Sequence, residues 1–163
     1  MITAPRLKSQ RLELRDMSLN DAPFVVRLRS DPEVYKYFTA PHKITLEEHT
    51  DWFNRRYIYD DNRYDWIGFN DLNEPVGIFG AKRESEKSDC AEISYILDPA
   101  YYGKGYAAEA VRAIIAFCKD FWQCRCVTAE IHKDNQSSLK FIARQGFEAV
   151  SDSEEFILYK KYL

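Results

Sequence analysis

The segment that most constrains this chain runs from Ile93 to Ala108. An apolar, strand-like run ending at Leu97 passes through Asp98–Tyr102 to Gly103-Lys104-Gly105, and the glycines lead directly into a helical pattern. Glycine lets backbone N–H groups converge on an anion, and a helix N-terminus adds partial positive charge there. A phosphate or pyrophosphate site on an α/β frame is the natural reading. Lys104 is followed by Gly105 rather than Ser or Thr, which excludes a magnesium-assisted P-loop. Gly103-x-Gly105-x-x-Ala108 fits the loose dinucleotide fingerprint, with Glu130 placed as a ribose acid, but Asp98–Tyr102 separates strand from glycines where that turn is tight. A connection that binds nothing is the remaining alternative.

The flanking periodicities extend the frame. Arg11–Arg15, Tyr64–Phe69, Val76–Lys82, Ala91–Leu97, Arg125–His132 and Phe156–Leu163 read as strands, the middle three as an antiparallel meander. Ser18-x-x-Asp21 and Thr45-x-x-Glu48 read as capping boxes, opening helices to about Ser30 and Tyr59. Val34–Phe38 reads as a helical turn or an aromatic loop. Val111, Ile114, Ile115, Cys118 and Phe121 share the inner face of a further helix. Leu139, Ile142 and Ala143 point inward from a last helix, stopped by Gly146. No linker or repeat interrupts the 163 residues, so one domain, 1–163, is expected.

Composition narrows the function. A net charge of −3 argues against a nucleic-acid surface. The longest apolar stretch, around Ala113–Cys118, is far shorter than a membrane span, and Met1–Arg6 lacks a signal-peptide run. A cytoplasmic protein, monomer or homodimer, is expected. Cys90, Cys118, Cys124 and Cys126 lack the spacing of a zinc site and read as reduced, buried thiols, with no metal expected.

Two ordered blocks carry a family resemblance. The first is Ala91-Glu92-Ile93-Ser94-Tyr95 … Pro99 … Tyr102-Gly103-Lys104-Gly105-Tyr106-Ala107-Ala108-Glu109-Ala110; the second is Asn135-x-x-Ser138 with Gly146-Phe147. The chain resembles the GCN5-related N-acetyltransferases (GNAT), in their RimJ/RimL-like branch, with Tyr102 where Gln or Arg usually opens the glycine signature. The resemblance implies an α/β (α+β) fold, a mixed, mostly antiparallel sheet flanked by helices, whose fourth and fifth strands splay. It implies acetyl-CoA as cosubstrate. Tyr102, Gly103, Lys104, Gly105, Tyr106, Ala107 and Ala108 would meet its pyrophosphate, and Asn135 and Ser138 its pantetheine. Backbone N–H groups near Ile96 and Leu97 would face the thioester carbonyl. Lys133 and Lys140 are further candidates for its phosphates.

Acetyl transfer needs a base for the ammonium proton and a donor for the leaving thiolate. Glu92 matches the glutamate of the histone-acetylating branch and is the candidate base, unless it is a solvated strand end. Ser138 is the candidate donor, Ile142 standing where many relatives have tyrosine; capping is the alternative for both Ser138 and Asn135. For the acceptor amine, His49, Trp52 and Tyr35 are candidates, since Arg29-Ser30, Val34 and His49-x-x-Trp52 are similar to a pattern of nucleotide-aminosugar acetyltransferases. Aromatic core is the competing role for these. A protein N-terminus, an aminosugar nucleotide and a small amine are the candidate acceptors. A non-catalytic acyl-CoA-binding module and a nicotinamide oxidoreductase are the rival classes.

Overall fold

Among residues 3–163, which the computed structural model describes, eight strands form one sheet. They are β1 (Leu7–Lys8), β2 (Glu13–Asp16), β3 (Arg63–Phe69), β4 (Pro75–Lys82), β5 (Cys90–Leu97), β6 (Cys126–His132), β7 (Glu148–Asp152) and β8 (Phe156–Tyr162). Their spatial order is β1-β2-β3-β4-β5-β6-β8-β7. All neighbours are antiparallel except β5 and β6. The helices are α1 (Ala22–Arg29), α2 (Pro32–Tyr35), α3 (Leu46–Arg55), α4 (Tyr106–Asp120) and α5 (Gln136–Arg144).

Period-two alternation sorts the side chains onto two faces. Trp66, Phe79, Ala81, Ala91, Ile93 and Val127 pack against Val111, Ile114, Phe117 and Cys118 of α4 and Ile142 of α5. On the opposite face Ile67, Ile78 and Ile96 pack against Val25 and Leu28 of α1, Val34 of α2 and Phe53 of α3. Two cores on one sheet leave the strand ends and their loops to build a site.

The expected splay lies between β5 and β6, because Leu7–Lys8 adds a short strand in front. These strands pair only at Cys90↔Cys126, Ala91↔Val127 and Glu92↔Thr128. Beyond Glu92 they part. β5 continues on β4 as far as Leu97, and β6 continues on β8 as far as His132.

Several local expectations change. The Ser18/Asp21 capping box forms, but it closes a 3₁₀ turn, Leu19–Asp21, ahead of α1. The Thr45/Glu48 box opens α3, which stops at Arg55; Tyr57–Tyr59 is a separate 3₁₀ turn. Phe121 is 64% exposed, since the α4 face turns inward at Phe117 and Trp122 instead. Ala143 is exposed. β7 is exposed along its whole length and has no apolar alternation to announce it. The reduced-thiol reading is corrected for two residues: the parallel register sets Cys90 opposite Cys126, Cα atoms 4.6 Å apart, and the structure joins them in a disulfide. Their separation of 36 residues hides the pair from spacing arguments. Cys118 and Cys124 are free and buried, and burial pushes the Cys118 thiol up to about 12. No helix among the described residues is long and apolar enough to cross a membrane.

Candidate active site

The glycine loop takes the conformation its sequence demands. Gly103 (φ +76°) and Gly105 (φ +80°) are both left-handed, and Gly105 is the N-cap of the 15-residue α4. A Cβ on Gly103 would meet nothing within 4 Å, so its backbone lies open to a ligand. The first amides of α4 face this opening without intrahelical partners. The donor set fits a pyrophosphate.

The loop is held from three sides. Glu109, buried in the first turn of α4, accepts hydrogen bonds from Ser9 Oγ (2.6 Å), Arg11 N (3.0 Å) and Arg11 Nε (2.5 Å). These contacts outweigh burial and hold the Glu109 carboxyl below its usual range. Arg11 also donates to the Lys104 carbonyl at 2.7 Å and covers the Tyr106 ring. Asp98 caps the turn after β5 and pairs with Arg27 of α1 at 2.6 Å. Tyr101 donates to Glu74 in the β3–β4 hairpin at 2.8 Å. Ser9, Arg11 and Glu109 carried no expectation, because a contact spanning about a hundred residues leaves no periodic signal.

The gap between β5 and β6 is lined by backbone and bridged by side chains. Asp98 N donates to Val76 O at 2.8 Å; alternation along the antiparallel pair then directs the Ile96 amide to β4 and the Leu97 amide into the gap. Of the two N–H groups expected to face a carbonyl there, that of Leu97 points into the gap and that of Ile96 is taken by β4. Tyr95 shares the side-chain face of Leu97 and reaches Ser138 of α5, the two hydroxyls 2.7 Å apart. Burial pushes the Tyr95 phenol up to about 12, so it is protonated at neutral pH. Tyr95 was the missed residue of this site. Its alternation with Ile93 and Leu97 marked the face, but the hydroxyl's partner lies 43 residues away.

Asn135 caps α5, accepting from Ser138 N at 3.2 Å. That leaves the Ser138 hydroxyl free of capping. Glu92 stands at the apex of the splay, exposed, between Lys82 on β4 and Thr128 on β6. It lies on the α1/α3 face, opposite to Tyr95. Lys133 is tied to Asp152 at 3.1 Å, Lys104 lies over the Tyr101 ring, and Lys140 is exposed.

On the α1/α3 face His49 and Trp52 come together, ring centroids 5.5 Å apart, while Tyr35 stands apart from both on α2. Trp52 lies between Tyr57 and the Arg63 guanidinium. Asp65, only 4% exposed, accepts from Arg63 Nε at 2.7 Å. Asp65 Oδ1 and Ser94 Oγ both overhang Gly80, where a Cβ would collide with each. Asp65, Gly80 and Ser94 form one row across β3, β4 and β5, and Ser94 is followed on this face by Glu92. A cavity of about 200 Å³ lies further along the face, lined by Asp16, Met17, Phe53, Tyr57 and Arg63. It does not reach Glu92 or Ser138.

Residues 11–148 match the model of the acetyltransferase (GNAT) domain. This chain belongs to the GNAT acetyltransferase family. An uncharacterized N-acetyltransferase, p20 of Bacillus licheniformis, is 29% identical over 149 residues, 87% of this chain and 82% of that protein. Among solved structures, RimL, an α-N-acetyltransferase of ribosomal protein L7/L12 in complex with coenzyme A, superposes with a TM-score of 0.84 at 18% identity, covering 98% of both chains. Spermidine N-acetyltransferase from Vibrio cholerae, in complex with CoA and spermine, gives the same TM-score at 14% identity, covering 93% of this chain and 95% of that one. Two such different acceptors on one fold mean that the fold does not select the amine.

Proposed function

We propose that this N-acetyltransferase is a RimJ/RimL-like member in which residues 1–163 form a single domain. In this reading it is cytoplasmic and transfers an acetyl group from acetyl-CoA directly to a primary amine. The observation that carries this reading is the hydroxyl pair of Tyr95 and Ser138, which joins β5 to α5 just beyond the apex of the splay, where Glu92 stands on the opposite face of the strand. Acetyl-CoA supplies the activated acyl group: a C–N bond forms at its carbonyl carbon, the C–S bond breaks, and the departing thiolate takes up a proton. The open backbone at Gly103 and Gly105 and the α4 N-terminus receive the pyrophosphate. The free Leu97 N–H faces charge developing on the carbonyl oxygen. Glu92 accepts the ammonium proton on one face of β5. Ser138, accepting from the Tyr95 hydroxyl, donates a hydrogen bond to the thiolate on the other, and the proton that the thiolate finally keeps is the second one shed by the nitrogen as it becomes an amide. His49 and Trp52 belong to the acceptor side, with Tyr35 at its margin, and the acceptor is a protein N-terminus, an aminosugar nucleotide or a small amine.

The base assignment is tested by pH–rate profiles of wild type and Glu92→Gln with an amine found by thiol release from acetyl-CoA. Glutamine keeps the shape but cannot take the proton. The defect is expected to be largest at low pH, where the amine is protonated, and to shrink above about pH 8 for an α-amino acceptor. Parallel profiles would remove Glu92 as base and leave it an orienting carboxylate.

A further inference from the structure

Arg11 sits in the turn between β1 and β2, yet its side chain ends at the glycine loop. The turn is tight: Ser9 N donates to the Leu12 carbonyl at 2.9 Å, and Leu12 N donates to Ser9 Oγ at 3.1 Å. Buried Leu12 anchors it in the core shared with α4. From this turn the guanidinium uses two of its donors. Nε pairs with Glu109 in the first turn of α4, and Nη2 donates to the Lys104 carbonyl at 2.7 Å. Glu109 also accepts from Ser9 Oγ and from Arg11 N, so the side chain is fixed at its root as well as at its tip.

That carbonyl belongs to the peptide bond between Lys104 and Gly105, which is trans. In a trans peptide the C=O and N–H point in opposite directions. Drawing the Lys104 oxygen toward Arg11 therefore aims the Gly105 N–H away from Arg11. Among the described residues, the N–H groups of Gly103, Lys104 and Gly105 have no acceptor within the chain, and all three residues are exposed. The Lys104 ammonium lies over the Tyr101 ring and does not hold this peptide either. Gly105, at φ +80°, has no Cβ and accepts φ of either sign. The plane between Lys104 and Gly105 can thus turn over by opposite rotations of the Lys104 ψ and the Gly105 φ, and the bond from Arg11 is what opposes that.

We propose that Arg11 is a positioning residue for acetyl-CoA: it holds the Lys104–Gly105 peptide with its N–H turned out to the pyrophosphate. The proposal rests on the cosubstrate reading above and adds to it a side chain that acts through the loop without touching the ligand. Turned over, the same peptide would present a carbonyl oxygen where the pyrophosphate needs a donor. Apparent affinity falls with the fraction of molecules in the competent state, so freeing the plane weakens binding of whatever carries a pyrophosphate.

The test titrates three ligands into wild type, Arg11→Gln and Arg11→Lys: CoA, dephospho-CoA, which lacks the 3′-phosphate but keeps the pyrophosphate, and pantetheine, which lacks both. In Arg11→Gln the Kd values for CoA and dephospho-CoA should rise by the same factor, roughly tenfold, the effect of losing one charge-assisted hydrogen bond that selects the competent state, while that for pantetheine holds. Arg11→Lys keeps a charge beside buried Glu109 without the planar fork and should show a smaller loss of the same pattern. It decides the matter if Arg11→Gln does not fold. In amide NMR spectra the Gly105 resonance should shift when CoA is added to wild type, and in the ligand-free variants it should broaden or split as the plane turns over. Equal weakening of all three ligands would make Arg11 a merely structural residue and overturn the proposal. A loss confined to CoA would overturn it too, by placing Arg11 on the 3′-phosphate. If CoA binds wild type and both variants alike, the proposal falls and the cosubstrate reading stands. If CoA neither binds wild type nor moves its Gly105 resonance, the cosubstrate reading falls and takes the proposal with it.

Discussion

The two faces of β5 are built on different principles. Ala91, Ile93, Tyr95 and Leu97 look toward α4 and α5, where a large apolar core surrounds one polar event, the Tyr95–Ser138 pair. Glu92, Ser94 and Ile96 look toward α1 and α3, where Asp65, Arg63, Arg29 and His49 place charge and donors among the apolar side chains. In the function proposed above, the first face joins the site of the leaving thiol to a backbone cradle, so its chemistry depends on φ angles and helix ends. The second depends on side chains that neighbours can satisfy or leave open. A shared cosubstrate and a variable acceptor would call for this division, since backbone geometry changes little with sequence and side-chain sets change readily.

The division can be broken most severely at Gly105. In Gly105→Val a β-branched residue would have to occupy φ +80° with its Cβ 3.1 Å from Arg11 Nη2, a strain of at least 1–2 kcal/mol, about that for the αL state. The rise in Tm on adding acetyl-CoA should disappear in a variant that still folds. An unchanged rise would take the loop out of the site.

Ser138→Ala sharpens the comparison on the same face. We expect kcat to fall roughly 10²-fold with acetyl-CoA affinity within a few-fold of wild type, because the hydroxyl acts on charge that develops late. Tyr95→Phe should give a smaller loss in the same direction. Steady-state kinetics with direct binding measurements decide it; weakened binding with turnover preserved would make Ser138 a binding residue.

Gly80→Ala attacks the other face alone. The new methyl would meet Ser94 Oγ at 2.7 Å as well as Asp65 Oδ1, so the row must shift. KM for the acceptor should rise by roughly tenfold while acetyl-CoA affinity holds. If both ligands weaken together, the two faces are not independent.

The last effect is in alkaline stability. Tyr95 titrates at about 12 when folded against about 10 as a free phenol, so the folded state keeps the proton longer. Its contribution is whole below pH 10 and is lost as pH rises from about 10 to about 12. That is up to about 3 kcal/mol by linkage. Tyr95→Phe should flatten this part of the stability curve in urea unfolding, and an unaltered slope would mean that the phenol is not shielded.

What could be read from the residues in order was whatever depends on neighbours in the chain. The meander Tyr64–Leu97, the Gly103–Gly105 turn into α4, the Thr45 box opening α3 and the Asn135-x-x-Ser138 step into α5 all rest on spacings of a few positions. The family resemblance drew on the same local blocks and supplied the splay, which composition and periodicity do not contain. Everything joined across the chain was decided by the tertiary structure. Register alone set Cys90 opposite Cys126, and the loop before β2 reached back to bind Glu109. The partner of Ser138 proved to be Tyr95, and the Ile96 amide was committed to β4 while that of Leu97 was left open. β7 escaped notice because an exposed edge strand needs no apolar alternation. Arg29 and His49 show the limit most clearly: each could be named in the sequence, but whether a polar atom has found a partner depends on every element packed around it.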